Sequence, residues 1–159
     1  MLTLPPSKLP RVGTTIFTVM SRLAQECGAI NLSQGFPDFD PPLRLVDLVA
    51  EHMRRGVNQY APMAGWPALL EAIAAKVGDL YACRVDPQAS VTVTSGATEA
   101  LFCAVQAVVR PGDEAVLLEP AYDSYEPAVE LAGGLAVRVP LLRPGFGGDW
   151  DRVRDAVNP

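Results

Sequence analysis

Val91-Thr92-Val93-Thr94-Ser95-Gly96-Ala97-Thr98-Glu99-Ala100-Leu101 is the stretch at which the chain changes rhythm. Before it, apolar residues recur at helical spacing: Phe17, Met20 and Leu23 within Ile16 to Gln25, Leu45, Leu48, Val49 and Met53 within Leu43 to Arg55, and Leu69, Leu70, Ile73, Val77 and Leu80 within Pro67 to Tyr81. That period predicts three helices in succession. At Val91 four β-branched residues in a row predict a strand. Ser95 to Thr98 reads as a tight turn, and Glu99 to Val109 as a helix stopped by Arg110-Pro111-Gly112-Asp113. Ala115 to Leu118 is continuously apolar, as a strand buried in a parallel sheet would be. Tyr125 to Leu131 is a further helical segment ended by Gly133-Gly134, Leu135 to Leu141 is a third strand, and Asp149 to Val157 opens another helical pattern. Strand, helix, strand, helix, strand predicts an α/β fold: an arm and helices followed by part of a mainly parallel sheet with helical layers on its faces.

The bulk properties exclude several classes. The 159 residues suit one domain, and a chain 49% hydrophobic and 19% charged can bury a core. A net charge of −5 without a basic run argues against nucleic acid as a partner. Cys27, Cys83 and Cys103 are widely spaced and lack a CxxC pair, which fits neither a disulfide framework nor a zinc site. Cys103, within Leu101 to Val105, reads as core packing, and free thiols suit a reducing cytoplasm. Pro5, Pro6, Lys8, Pro10 and Arg11 interrupt any signal-peptide core in the extended arm of residues 1–14. No apolar stretch is long enough to span a membrane. Asp38 and Asp40 lie among prolines and read as turn or cap residues rather than metal ligands, with Asp40 capping the helix that begins near Leu43. His52 is mid-helix, and Trp66 and Trp150 read as packing anchors. No metal is expected.

Two segments carry chemistry. At Ser95-Gly96-Ala97-Thr98 the chain passes from a strand into a helix. Gly96 permits a close turn, the Ala97 and Thr98 amides point out of the helix N-terminus, and the Thr98 hydroxyl can join them. Such a terminus attracts a phosphate dianion. The same residues also read as a capped junction, with Ser95 or Thr98 as cap and Glu99 in the favourable first turn. The second segment, Glu119-Pro120-Ala121-Tyr122-Asp123-Ser124-Tyr125-Glu126-Pro127, follows the second strand. Ligands of open α/β sheets sit beyond the carboxyl ends of strands, so Tyr122 would overhang the phosphate turn and could stack on a planar ring.

Four motifs then occur in order: Asn31-Leu32-Ser33-Gln34-Gly35-Phe36-Pro37-Asp38-Phe39, Tyr60-Ala61-Pro62-Met63-Ala64-Gly65, Val91 to Leu101, and Glu119 to Pro127. Together they resemble the class I, fold-type I aminotransferases dependent on pyridoxal 5′-phosphate (PLP), in the methionine and kynurenine aminotransferase branch. The resemblance implies that Gly96, Ala97 and Thr98 hold the PLP phosphate and that Tyr122 stacks on the pyridine ring. It implies that Gly35 brings its backbone to the substrate carboxylate and that Phe17 lines the substrate side-chain pocket. Tyr60 matches a tyrosine that reaches the phosphate of the other subunit, which implies a homodimer. The implied substrates are an amino acid and a 2-oxo acid.

The family's aldimine-forming lysine follows the Tyr122 segment, and neither Lys8 nor Lys76 matches it. No catalytic residue is therefore assigned within these residues, and the expected organisation is an arm and substrate loop over 1–42 followed by an incomplete PLP-binding large domain over 43–159. Two readings stand: an aminotransferase of which this is the front part, or a non-catalytic remnant that binds PLP or phosphate weakly at most. A Rossmann nucleotide module is disfavoured, because SGAT stands where GxGxxG would be required.

Overall fold

A computed structural model describes residues 5–35 and 37–158. Residues 1–4 of the arm and the motif residue Phe36 lie outside them. The elements are α1 (Ile16–Glu26), α2 (Leu43–Arg54), α3 (Pro67–Tyr81), α4 (Ala97–Val108), β1 (Glu114–Glu119), α5 (Tyr125–Leu131), β2 (Leu135–Pro140) and α6 (Trp150–Asp155). The architecture is α/β, with a short parallel sheet. The chain forms two compact units, one of residues 1–19 and 95–159 and the other of residues 20–94, so that α1 is shared between them.

In the first unit β1 and β2 pair in parallel, from Glu114 opposite Leu135 to Glu119 opposite Pro140. The ladder is extended at both ends, where Leu135 N–H donates to the Asp113 carbonyl and Leu141 N–H to the Glu119 carbonyl, each at 2.8 Å. A parallel pair needs a crossover, and α5 supplies it, packing on both strands and against α4. Glu126 and Pro127 suit the first turn of α5, where an acid meets the positive helix end and a missing amide costs nothing. Gly133, at φ +84°, ends α5 in the left-handed region that favours glycine. Ala128, Val129 and Val139 are the buried hydrophobic residues of this unit. The Gln106 amide ties α4 to α5 by donating to the Ala128 carbonyl at 3.1 Å.

In the second unit α3 begins with Pro67 at its first position and ends at Ala82 in left-handed conformation. Leu70 is its buried residue. Gly65 N–H donates to the Pro62 carbonyl at 2.9 Å, and Val93 N–H to the Ala64 carbonyl at 2.8 Å, so the 61–65 loop and the 91–94 segment are joined.

The fold departs from the sequence pattern at several points. Residues 91–94 do not form a strand: among the described residues the sheet holds only β1 and β2. β-branched residues favour a pleated chain, but a strand also needs a ladder partner, and the 91–94 backbone has the Ala64 carbonyl instead. α4 starts at Ala97, so Ala97 and Thr98 belong to the helix rather than to a turn before it. Pro42, not Asp40, is the N-cap of α2, and no side chain caps that end. Cys103 is exposed like Cys27 and Cys83 and is not a core residue. Trp66 and Trp150 are likewise more than half exposed, at 54% and 61%.

Candidate functional site

The N-terminus of α4 is built around Gly96. This residue is the N-cap, at φ +87° and ψ 169°, and no side chain caps the helix. A methyl group at Gly96 would point into open space, so backbone conformation and not crowding calls for glycine here. The first-turn amides of Ala97 and Thr98 have no carbonyl to bond within the helix. The carboxylate of Glu99 turns back to accept from the Ser95 amide. No hydrogen bond engages the Thr98 hydroxyl among the described residues. The cap is thus Gly96 and neither Ser95 nor Thr98, while Glu99 does stand in the first turn as expected.

Thr98 and Tyr122 line one open cavity of about 690 Å³ within the first unit, together with Ser124, Glu126, Arg138 and residues 11–16. The Tyr122 ring is flanked by Phe17 at 6.2 Å between centroids and by Tyr125 at 5.8 Å in an edge-on arrangement. The Ser124 hydroxyl is buried and without a partner. A buried hydroxyl normally finds one, and this one lies in the wall beside Thr98. A threonine of a helix first turn with its hydroxyl unengaged, an orphaned serine hydroxyl and an aromatic ring on one cavity fit a phosphorylated planar cofactor.

Two arginines of the cavity wall, Arg138 and Arg11, are held in ion pairs. Arg138 of β2 reaches Glu119 at 3.4 Å and Glu126 at 2.5 Å. The hydrogen bond to Glu126, and then the charges of Glu126 and Glu119, raise the pKa of this guanidinium above its ordinary value. Arg11 of the arm pairs with Glu130 of α5. In the second unit Gly35 has open space around it, and the Tyr60 side chain is fully exposed. Thus Gly96, Ala97, Thr98, Tyr122 and Phe17 lie together in the first unit, while Gly35 and Tyr60 belong to the other. Arg138 and Ser124 were not expected. The one charge within Leu135-Ala136-Val137-Arg138-Val139 was the available signal for Arg138.

Residues 28–159 match the family model for aminotransferase class I and II. The chain belongs to this family. It is 56% identical over 147 residues to the methionine aminotransferase of Escherichia coli K12, covering 92% of this chain and 38% of that protein. It is 42% identical over 130 residues to human kynurenine–oxoglutarate transaminase 1, covering 78% of this chain and 30% of that protein. A crystal structure of an Escherichia coli protein with a methionine aminotransferase function superposes with a TM-score of 0.94 at 52% identity, over 99% of this chain and 41% of that one. The chain therefore spans less than half the length of these aminotransferases. Among the described residues no helix is long and apolar enough to cross a membrane, and no cluster of three or more histidine, cysteine or acidic side chains could hold a metal ion.

Proposed function

We propose that the complete protein of which these residues are part is a cytoplasmic PLP-dependent aminotransferase that moves an α-amino group from methionine, an aromatic amino acid or a glutamine-like one to a 2-oxo acid. The observation that carries this reading is the α4 N-terminus, which no side chain caps and whose second residue, Thr98, lines one cavity with Tyr122. When bound, PLP supplies an electron sink for bond changes at the substrate Cα.

The residues of this chain then have distinct tasks. The Ala97 and Thr98 amides and the Thr98 hydroxyl hold the phosphate, with Gly96 setting the approach. Tyr122 holds the ring plane by stacking. Phe17, packed on Tyr122, offers an apolar wall to the substrate side chain, which suits methionine and aromatic donors better than aspartate. Gly35 brings a backbone amide to the substrate carboxylate. Tyr60, fully exposed, reaches the phosphate bound by a second copy, so the complete enzyme is a homodimer. Residues 1–42 form the arm and substrate loop, and 43–159 the first part of the PLP-binding domain. The lysine that bonds to the cofactor is neither Lys8 nor Lys76.

The test is titration of the complete protein with PLP, followed by amino transfer from methionine, phenylalanine, glutamine and aspartate. A PLP absorbance band and preference for the first three are expected. Aspartate favoured about tenfold over methionine and phenylalanine would overturn the substrate class. No PLP band would overturn the whole reading.

A further inference from the structure

The loop that carries Tyr122 leaves β1 at Glu119 and enters α5 at Tyr125. Its backbone carbonyls are engaged on the α5 side, where Tyr122 accepts from Tyr125 N–H and Ser124 from Ala128 N–H, each at 3.2 Å. The two glutamates that bracket it are joined by a single side chain. Arg138 lies on β2 opposite Leu117, so it emerges on the sheet face shared by Leu117 and Glu119. Its Nε meets Glu119 Oε1 at 3.4 Å, and its Nη2 meets Glu126 Oε2 at 2.5 Å.

We propose that Arg138 is a positioning residue that clasps both ends of the Tyr122 loop and so fixes the plane in which Tyr122 meets the cofactor ring. The inference rests on the PLP reading of the cavity and deepens it.

Three considerations support it. A solvated strand arginine needs no partner, whereas this one has two, one on each side of the loop. A guanidinium presents donors in a rigid fork and can engage two carboxylates at once; an ammonium is a point charge on a flexible stem. Exposed ion pairs contribute little to stability, so the value of this pair lies in geometry: stacking depends on ring plane and offset, and both follow the loop's ends. Arg138 and Tyr122 also share the wall of one cavity, so a shift of the clasp is felt where the ring would bind.

The experiment uses the complete holoenzyme and its Arg138→Leu, Arg138→Gln and Arg138→Lys variants. The readouts are the PLP dissociation constant, the visible circular dichroism band of bound PLP and the melting temperature of the cofactor-free protein. Arg138→Leu and Arg138→Gln should raise the dissociation constant about three- to tenfold, the size of a lost aromatic stacking contact. They should also shrink the dichroism band and leave the melting temperature nearly unchanged. Arg138→Lys should recover part of the loss. Glu119→Gln combined with Glu126→Gln should reproduce it, with Arg138→Leu adding little in that background. Wild-type affinity and dichroism in both neutral variants would overturn the proposal. So would an equal loss in a Tyr122→Ala background, where there is no ring to position. A wild-type protein that binds no PLP would instead overturn the reading beneath it.

Discussion

The ring of Phe17, on the first turn of α1, stands 6.2 Å from that of Tyr122, with the two planes inclined at 41°. Tilted pairs at this separation contribute about 0.5–1.5 kcal/mol beyond their buried area. If Phe17 is also the wall of an apolar substrate pocket, Phe17→Ala in the complete enzyme should lower kcat/KM for methionine and phenylalanine by about two- to tenfold. It should change the PLP dissociation constant less. Steady-state kinetics with both donors checks this, and an unaltered kcat/KM for both would remove Phe17 from the substrate pocket.

Thr98 has two groups at the α4 N-terminus, and substitution can separate them. Thr98→Ala deletes the hydroxyl and leaves the amide. A hydrogen bond to a charged group contributes roughly 1.5–3 kcal/mol, so PLP should bind about ten- to a hundredfold more weakly. Thr98→Ser should bind near the wild-type level. Equilibrium titration monitored by absorbance decides the matter. Equal affinity in the alanine variant would assign the phosphate to the amides alone.

Gly65 is constrained twice, at φ +126° and by its neighbours. A Cβ there would stand 2.8 Å from Val93 Cγ2 and 3.1 Å from Cδ2 of the buried Leu70. Strain and overpacking each cost about 1–3 kcal/mol. Gly65→Ala should therefore destabilise the complete protein by at least about 1 kcal/mol in urea denaturation. A midpoint equal to wild type would show that the 61–65 loop yields freely.

The same contact explains where the sequence was readable and where it was not. α3 matches its expected bounds and α1 and α2 lie within a residue of theirs, because an apolar stripe is a local property of the helix that carries it. The 91–94 segment failed as a strand because its backbone partner is Ala64, a remote residue that β-propensity cannot reveal. Asp40 had the right chemistry for a cap, but Pro42 occupies the position. That Thr98 and Tyr122 line one cavity was legible because both lie at element ends, where an open α/β sheet gathers its loops. Arg138 was not, since a lone charge in a strand reads as a surface residue until its partners on either side of the Tyr122 loop are located.

As an isolated polypeptide, residues 1–159 should neither transaminate nor remain well dissolved. Its lysines are Lys8 and Lys76. Lys76 lies on α3 in the second unit, and Lys8 is not among the residues lining the Thr98 and Tyr122 cavity. An amine can meet PLP adventitiously, but without a positioned base the proton transfer lacks its usual gain of about 10²–10⁴. Solubility suffers for a separate reason. Leu32, Met63 and Tyr60 are 91%, 101% and 100% exposed, and in a two-stranded sheet both strands are edges. Exposed apolar surface and open edges favour association. Expression of residues 1–159, size-exclusion chromatography, and an assay of amino transfer from methionine with added PLP check both parts. Aggregation and turnover no faster than free PLP are expected. A monodisperse product with clear turnover would overturn the account of the cofactor lysine and make Lys76 the first residue to replace.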